Sequence, residues 1–384
     1  MIRVLSVFGT RPEAIKMAPL VKELERRPDI RSSVCVTGQH RQMLDQVLQV
    51  FGLSPDYDLD IMREGQSLSA ITNAVLRGVE EIIRIVCPDL VLVHGDTSSC
   101  LAAALAAYYH QIPIGHVEAG LRSYDKYSPF PEEMNRQLTD RLSDLLFAPT
   151  ELNREQLLSE GIPERRIFVT GNTVIDALRF TVNHEDPLAM PADVRPDQRL
   201  LLLTAHRREN LGAPLRSIYR AARRLIDAFD DLVILCPLHL NPAVQRAARE
   251  ILAGCGRIRL IDPPDVLTFH HLLSRACLVL TDSGGIQEEA AALNKPVLVL
   301  RDTTERPEGL AAGVLRLVGT DEESIFLEAR RLLSDPEELA RMSAVENPFG
   351  DGHACERIAD IIEEQFYFKR PNERFACQTT YADR

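Results

Sequence analysis

The sequence predicts an α/β protein made of two doubly wound parallel-sheet domains, and three observations carry that prediction. Strand-length apolar runs alternate with helix-length amphipathic stretches from end to end. The runs are continuous in Val, Ile and Leu rather than alternating, as in strands covered on both faces. The series stops at a polar, proline-rich stretch and then begins again.

In the first series the runs are IRVLSVF (2–8), SVCVTG (33–38), DLVLVHG (89–95), IPIGHVEAG (112–120), DLLFAPT (144–150) and RIFVTG (166–171). HEDPLAMPADVRPDQ (184–198) has neither the helical nor the strand period and reads as an exposed connection. The second series is RLLLLTAH (199–206), DLVILCPLH (231–239), RIRLID (257–262), CLVLTD (277–282), KPVLVLR (295–301) and GVLRLVG (313–319). ACERIADIIEEQF (354–366) has the pattern of a final helix. We therefore expect a first domain over 1–170 and a second over 171–352. A last helix at 353–369 is expected to cross back to the first domain, with a flexible tail at 370–384.

A chain of 384 residues is long enough for two such domains, and 45% hydrophobic residues suffice to fill their cores. Its 44 Lys and Arg face 56 Asp and Glu, a net charge of −12. That balance argues against nucleic acid or an anionic membrane as partner, because each attracts a basic face. A phosphate-bearing ligand would need a local concentration of cations and helix N-termini. The eight cysteines are scattered without a CxxC pair, so buried free thiols are expected, with no disulfides and no zinc site. MIRVLSVFGTRPE is too short in apolar length for a signal peptide, and no run approaches a membrane span. A soluble cytoplasmic protein is the expectation.

Ligands of open parallel sheets gather beyond the C-terminal strand ends, so the residues there deserve separate reading. The first strand leads into Gly9, Thr10, Arg11, Pro12 and Glu13, with Lys16 one turn on. Arg11 and Lys16 are cations near a helix N-terminus, where the dipole disfavours them and an anion would explain them. Solvated surface charges are the plain alternative. There is no GxGxxG run, so a dinucleotide site is unsupported. Asp96 follows the strand DLVLVHG and is either a helix N-cap or a functional acid. Glu118, at the end of IPIGHVEAG, gains nothing as a cap. Pro131, Glu132 and Glu133 make good helix-start chemistry, with Pro131 at the first helical position. Three acids at one cleft mouth would supply acid and base groups with differing pKa values. His94 and His116 each stand two residues before an acid and read as partners of those acids rather than ligands.

In the second series, His206, Arg207, Arg208, Glu209 and Asn210 follow a strand, and His239 and Asn241 follow the next. CLVLTDSGGIQEEAAAL places Ser283, Gly284 and Gly285 at a helix start, a turn suited to a diphosphate, with Glu289 one turn in to reach ribose hydroxyls. Asp282-Ser283 as a simple N-cap is the alternative. Arg301, Thr303, Thr304, Glu305 and Arg306 end the last of these loops. His270 and His271 lie in a helical stretch with no acid or Cys at ligand spacing, and read as surface or half-buried residues; no metal is expected.

Together these blocks resemble the non-hydrolysing UDP-N-acetylglucosamine 2-epimerase family. The matching runs include GTRPEAIKMAPL (9–20), TGQHRQML (37–44), VHGDTSS (93–99), HVEAGLRS (116–123), YSPFPEEMNRQLTD (127–140), FVTGNTVIDAL (168–178), TAHRREN (204–210), PLHLNP (237–242), TDSGGIQEEA (281–290) and RDTTERPEG (301–309). The resemblance spans residues 2 to about 365. It implies two Rossmann-like domains in a glycosyltransferase-B-like arrangement with the site in the cleft, a homodimer, and interconversion of UDP-GlcNAc and UDP-ManNAc without cofactor. It makes Asp96, Glu118 and Glu132 the catalytic acids and places Arg11, Lys16 and His206 against substrate or UDP. Ser283, Gly284, Gly285, Glu289 and Arg306 match the UDP-holding positions, Phe269 one that flanks the uracil, and Gln39, His40 and Gln42 an activating second UDP-GlcNAc site of some relatives. Two departures bear on the base and the activator: Val266 and Pro264 replace a Tyr and a commoner Gln, and Gly65 replaces an Arg.

The C2 proton of a hexosamine is not beside a carbonyl, so a lone base cannot readily take it. Without a nicotinamide fingerprint the remaining route is elimination of UDP across C1–C2 to 2-acetamidoglucal, followed by re-addition. The product is expected to supply ManNAc units for surface polysaccharide. A glycosyltransferase of the same architecture, a hydrolysing epimerase and a catalytically silent UDP-sugar sensor are the competing readings.

Overall fold

The computed structural model describes residues 1–38, 41–63, 65–183, 194–195 and 197–367, without the side chains of residues 41–43. Gln39, His40, most of the expected connection at 184–198 and the tail at 370–384 lie outside the described residues, as does the side chain of Gln42. The chain divides into two compact units, Met1–Ala177 joined by the segment from Gly350, and Leu178–Phe349.

The first unit runs β1 (Ile2–Phe8), α1 (Arg11–Arg26), β2 (Ile30–Val36), α2 (Arg41–Val50), β3 (Tyr57–Asp58), α3 (Leu68–Val86), β4 (Leu90–His94), α4 (Ser98–Tyr109), β5 (Ile114–Val117), α5 (Glu132–Leu142), β6 (Leu145–Ala148), α6 (Glu151–Ser159), β7 (Ile167–Val169) and α7 (Thr173–Val182), the last reaching into the second unit. The second continues with β8 (Arg199–Thr204), α8 (Ala213–Ala228), β9 (Leu232–Pro237), α9 (Pro242–Leu252), β10 (Ile258–Ile261), α10 (Val266–Arg275), β11 (Leu278–Thr281), α11 (Gly284–Ala292), β12 (Val297–Val299), α12 (Pro307–Ala312), β13 (Leu315–Leu317), α13 (Glu322–Ser334) and α14 (Pro336–Ser343). The closing helix α15 (Ala354–Tyr367) belongs to the first unit.

Both sheets are parallel, in the orders β3-β2-β1-β4-β5-β6-β7 and β10-β9-β8-β11-β12-β13. Strand order reverses between β1 and β4 and between β8 and β11, and the connections diverge there to leave a crevice at the strand tips. These are two Rossmann-like units. Every expected strand is present, trimmed by a residue or more at most ends; β3 was missed, being two residues of polar edge strand without an apolar run.

Burial explains the unbroken apolar runs. β4 is buried along its whole length, and Leu5, Val7, Val91, Val93 and Ile114 pack with Val75, Val79 and Ile83 of α3 and the alanines of α4. Each such buried aliphatic contributes roughly 1.5–3 kcal/mol. The second sheet packs Leu201, Leu203, Ile234 and Leu280 against Ile218, Leu225 and Ile226 of α8 and Ile325 and Leu332 of α13. Side-chain oxygens of Thr10, Ser67, Thr97, Thr150, Asn241, Asp265, Asp321 and Asp335 cap the following helices, so the sequence states where most helices begin.

α15 packs on α1, where Arg27 Nη1 meets Asp360 at 2.6 Å and Glu363 at 2.9 Å. Asp176 accepts the Ala354 and Cys355 amides at 3.2 and 2.9 Å. Cys35, Cys100, Cys236 and Cys355 are buried free thiols, and burial pushes Cys35 and Cys236 up to about 12. Among the described residues no helix is long and apolar enough to cross a membrane.

Candidate active site

At the tip of β1 the chain turns through Gly9 so tightly that a Cβ there would fall 1.8 Å from the Thr37 hydroxyl. Thr10 and Glu13 then form a capping box at the start of α1. The Glu13 Oε2 accepts the Gly9 and Thr10 amides at 3.0 and 2.7 Å, while its Oε1 accepts from the Thr97 hydroxyl at 2.7 Å. Glu13 thus ties the loop after β1 to the loop after β4, and its burial raises its carboxyl. The sequence reading assigned Glu13 no role; the Thr-x-x-Glu spacing was the available signal.

Asp96 is not the cap of α4; Thr97 fills that position. Its Oδ2 instead accepts from Arg136 Nη2 at 2.6 Å, and its carbonyl accepts from Asn135 Nδ2 at 2.9 Å. Burial raises the Asp96 carboxyl, Arg136 opposes, and the nearby Glu118 charge adds to the rise. Glu118 follows β5 rather than ending it and stands in the left-handed region at φ 68°. That conformation is costly for a residue with a Cβ, and it aims the side chain out of the strand direction.

Glu118 Oε1 accepts from Lys16 Nζ and from Asn172 Nδ2, the latter at 3.1 Å. The Lys16 and Glu118 side chains are only 12% and 9% exposed, so this is a largely dry pair. The cation expected to meet a ligand anion here meets the protein's own carboxylate. His94 Nε2 lies 3.7 Å from the other oxygen, Glu118 Oε2. Burial, aided by Lys16 and His116 and opposed by Glu118, brings His94 down to about 3, so the ring is neutral at pH 7. Arg11 is half-buried as the first residue of α1.

Pro131 is the N-cap of α5 rather than its first residue, and Glu132 and Glu133 open the helix. The two acids have separate fates. Glu133 is fully buried and accepts the Ser123 and Tyr124 amides at 2.9 and 3.1 Å and Gln137 at 2.7 Å. Burial alone would raise its carboxyl, but these donors outweigh it and hold the group low. Glu132 is half-exposed and has no partner among the described residues. It precedes Arg136 by four residues, which puts it on the α5 face whose arginine reaches Asp96.

In the second unit Asp282 does not cap α11. Its fully buried Oδ2 accepts the His206 and Arg207 amides at 2.9 Å each and Asn210 Nδ2 at 3.0 Å, clamping the loop after β8. Ser283 takes the N-cap position without a side-chain bond, and its amide donates to Thr281 Oγ1 at 3.0 Å. The amides left over at the helix start are those of Gly284, Gly285 and Ile286. The Arg306 guanidinium lies against Gly284, where an added Cβ would stand 3.2 Å from Arg306 Cζ and Nη1. Glu288 fixes Arg306 through a 2.7 Å bond to Nε. A cation held at a helix N-terminus opposes the dipole unless an anion binds between them.

His206 stacks on His239 at 4.9 Å between ring centroids and 6° between planes. Burial lowers its pKa, with Asp282 opposing and His239 and Arg207 assisting. Glu289 Oε2 lies 3.7 Å from His270 Nε2. His270, read from sequence as surface or half-buried, is 1% exposed and its Nδ1 is 2.6 Å from Thr181 Oγ1. The helical register of α10 turns it inward and leaves Phe269 half-buried beside it. Val266 is buried at the first turn of α10. Among the described residues no group of three or more His, Cys, Asp and Glu is arranged to hold a metal ion.

Arg301 braces this loop by bonding Glu209 at 2.8 Å and Glu305 at 2.7 and 3.2 Å. Burial works against the Glu305 carboxylate, yet Arg301, with Arg306 and Arg207, brings it from 4.5 to about 2. A depressed carboxylate contributes stability that is complete above its unfolded pKa and lost as the pH falls through the folded one. Glu305→Gln is therefore expected to cost on the order of 1–3 kcal/mol at pH 7 and progressively less toward pH 2. Urea titrations of both chains across that range check this, and a pH-independent difference contradicts it.

Two Rossmann-like units, one with unlike carboxylates at neighbouring strand tips and one with a cation beside a helix start, fit the class of enzymes that act on nucleotide-linked ligands. A sequence model of the family described as UDP-N-acetylglucosamine 2-epimerase matches residues 22–363, and the chain belongs to that family, whose members are isomerases. The Bacillus subtilis UDP-N-acetylglucosamine 2-epimerase is 54% identical over 96% of this chain and 97% of its own. The Neisseria meningitidis UDP-GlcNAc 2-epimerase, solved bound to UDP-GlcNAc, superposes with a TM-score of 0.90 at 46% identity over 94% of this chain and all of its own. An S. aureus protein, MnaA, solved with UDP, gives 0.88 at 51% identity over 96% and 97% of the two chains.

Proposed function

We propose that the chain interconverts UDP-GlcNAc and UDP-ManNAc without net hydrolysis, by eliminating UDP and adding it back. The observation that carries this reading is the pair of unlike carboxylates, Asp96 on Arg136 and Glu118 on Lys16, at adjacent strand tips. A carboxylate takes the C2 proton as the C1–O bond breaks. The C–H electrons become the C1=C2 double bond of 2-acetamidoglucal, and the C–O electrons leave with UDP. Reprotonation of C2 on the opposite face and return of UDP to C1 complete the inversion. No atom changes oxidation state overall, so the route needs no redox partner.

In this reading Gly284 and Gly285 hold the diphosphate with Arg306, Ser283 and Glu289 fix the nucleoside, and Phe269 flanks the base. Arg11, Glu132 and His206 serve substrate binding and proton transfer. Fixed donors around the leaving phosphate are the main electrostatic contribution. Gln39, His40 and Gln42 are read as part of an activator site for a second UDP-GlcNAc. The family resemblance also supports a cytoplasmic homodimer, which sedimentation equilibrium reads directly for its assembly.

Incubation with UDP-GlcNAc alone in D2O, followed by proton NMR, tests the reaction. Deuterium is expected at C2 of both epimers. Epimerisation without deuterium rules out the elimination route, and steady accumulation of free ManNAc with UDP identifies a hydrolysing enzyme instead.

A further inference from the structure

Two of the deepest polar side chains in the first unit have no part in the chemistry above. His116 on β5 is fully buried, and Asp140 near the end of α5 is 1% exposed. His116 Nε2 lies 2.7 Å from the Gly95 carbonyl oxygen, and its Nδ1 lies 2.6 Å from Asp140 Oδ1. A carbonyl only accepts, so Nε2 donates to Gly95. Asp140 Oδ2 accepts the Gly120 amide at 3.2 Å and Arg122 Nη1 at 2.7 Å. Arg122 is itself held by Glu160 at 2.6 and 2.8 Å.

The positions of the two glycines give this chain its meaning. Gly95 immediately precedes Asp96, and Gly120 lies two residues beyond Glu118. Both stand at positive φ, 69° and 87°, so each marks a sharp turn in the loop that carries an acid. The Gly95 amide already donates to Val117 at 3.0 Å, so His116 fixes the other end of that residue. One His–Asp pair therefore grips the backbone next to both acids at once. A pair needed only to satisfy buried polarity has no reason to end on these two loops.

We propose that His116 and Asp140 are positioning residues for epimerisation: by holding Gly95 and Gly120 they set the separation and aim of the Asp96 and Glu118 carboxylates. The proposal rests on the reading of those two acids as the proton-transfer groups. It needs hydrogen-bond connectivity rather than the charges of the pair, and that distinction can be measured. In His116→Gln the new amide still reaches Gly95, but its oxygen faces the Asp140 carboxylate, acceptor against acceptor. In Asp140→Asn alone the amide NH2 at 140 donates to Nδ1 of a neutral His116 and its oxygen still accepts from Gly120 and Arg122, so the chain of bonds survives without charge. In the double variant the amide at 140 donates to the amide oxygen at 116, whose own NH2 donates to Gly95, and the chain of bonds is rebuilt without charge.

The experiment measures kcat, KM for UDP-GlcNAc, UDP affinity by calorimetry and the thermal midpoint for wild type, both single variants and the double variant. His116→Gln is expected to lose about 10–100-fold in kcat, as misplaced catalytic groups do, and Asp140→Asn to stay within about threefold of wild type, with KM and UDP affinity within about threefold in both. The double variant is expected to recover tenfold or more. A double variant no faster than His116→Gln overturns the proposal, as does His116→Gln with kcat within threefold of wild type, or Asp140→Asn with a loss of tenfold or more. A kcat loss matched by weaker UDP binding and a lower thermal midpoint likewise overturns it, marking a purely structural pair. If the double variant does not fold, His116→Asn, too short to bridge both partners, gives the same kcat-against-KM separation. A wild type that fails to epimerise UDP-GlcNAc rejects the functional reading itself; an active wild type with variants that behave otherwise rejects only the positioning role.

Discussion

Glu118→Gln is expected to lower kcat by roughly 10²–10⁴-fold, the range for removing a positioned acid–base group, while UDP still binds. The amide keeps the size and planarity of the carboxylate, so Asn172 and His94 retain a neighbour of the same shape. It cannot accept a proton from carbon. It also takes away the carboxylate bonded to Lys16, which is 12% exposed, and leaves the Asp96 charge acting on that cation. A buried ion stripped of its partner destabilises a fold by about 3–5 kcal/mol, so turnover must be measured well below the variant's thermal midpoint. UDP affinity, read by calorimetry, is expected to hold because the Arg306-backed turn belongs to the other unit. Asp96→Asn is expected to act in the same direction. Near wild-type turnover in both variants would overturn the assignment of these acids.

Gly120→Ala is expected to be strongly destabilising. Gly120 sits at φ 87°, and an added Cβ would stand 2.5 Å from the Asn153 carbonyl oxygen and 3.0 Å from its carbon. Neither side has room to yield. Asn153 is 3% exposed and locked into the capping box of α6, with the Thr150 amide at 3.1 Å from its Oδ1. The left-handed backbone costs about 1–2 kcal/mol and overpacking about 1–3 kcal/mol more, so a loss of about 2–5 kcal/mol is expected in urea unfolding. Gly161→Ala is the control: its φ of 77° is similar, but nothing lies within 4 Å of the new methyl. It is expected to cost only the backbone part, and equal losses at the two sites would remove the steric argument.

The parallel sheets were readable because burial on both faces forces continuous Val, Ile and Leu, and a two-residue edge strand such as β3 leaves no such trace. Helix starts leave a local trace because Thr10 and Thr97 sit beside the amides they cap, yet spacing alone points to Asp96 rather than Thr97 as the cap of α4. What composition and spacing left unread is long-range polar pairing. Lys16 and Glu118 are 102 residues apart, Glu13 and Thr97 are 84 apart, and Asp282 reaches back 76 residues to the His206 amide. A carboxylate that holds a distant loop looks, in sequence, like one that caps its own helix. Hence spacing leaves Asp282 open between cap and cradle, gives Glu133 only a helix-start role, and gives Glu13 and Asp140 none. His270 was placed too near the surface because nothing in FHHLLSRA announces that Thr181 is its partner.

The unit that begins the chain is also the one that ends it. Ribosomes making about 5–20 residues per second need on the order of ten seconds or more to pass from Ala177 to α15. Through that interval the nascent amino-terminal half carries an uncovered apolar stripe on α1, the surface that Ile358, Ala359 and Ile362 will later close. The contiguous middle of the chain is under no such delay and can reach its native state first. Translation thus favours a sequence in which the unit that carries Ser283 and Arg306 matures ahead of the unit that carries Asp96 and Glu118.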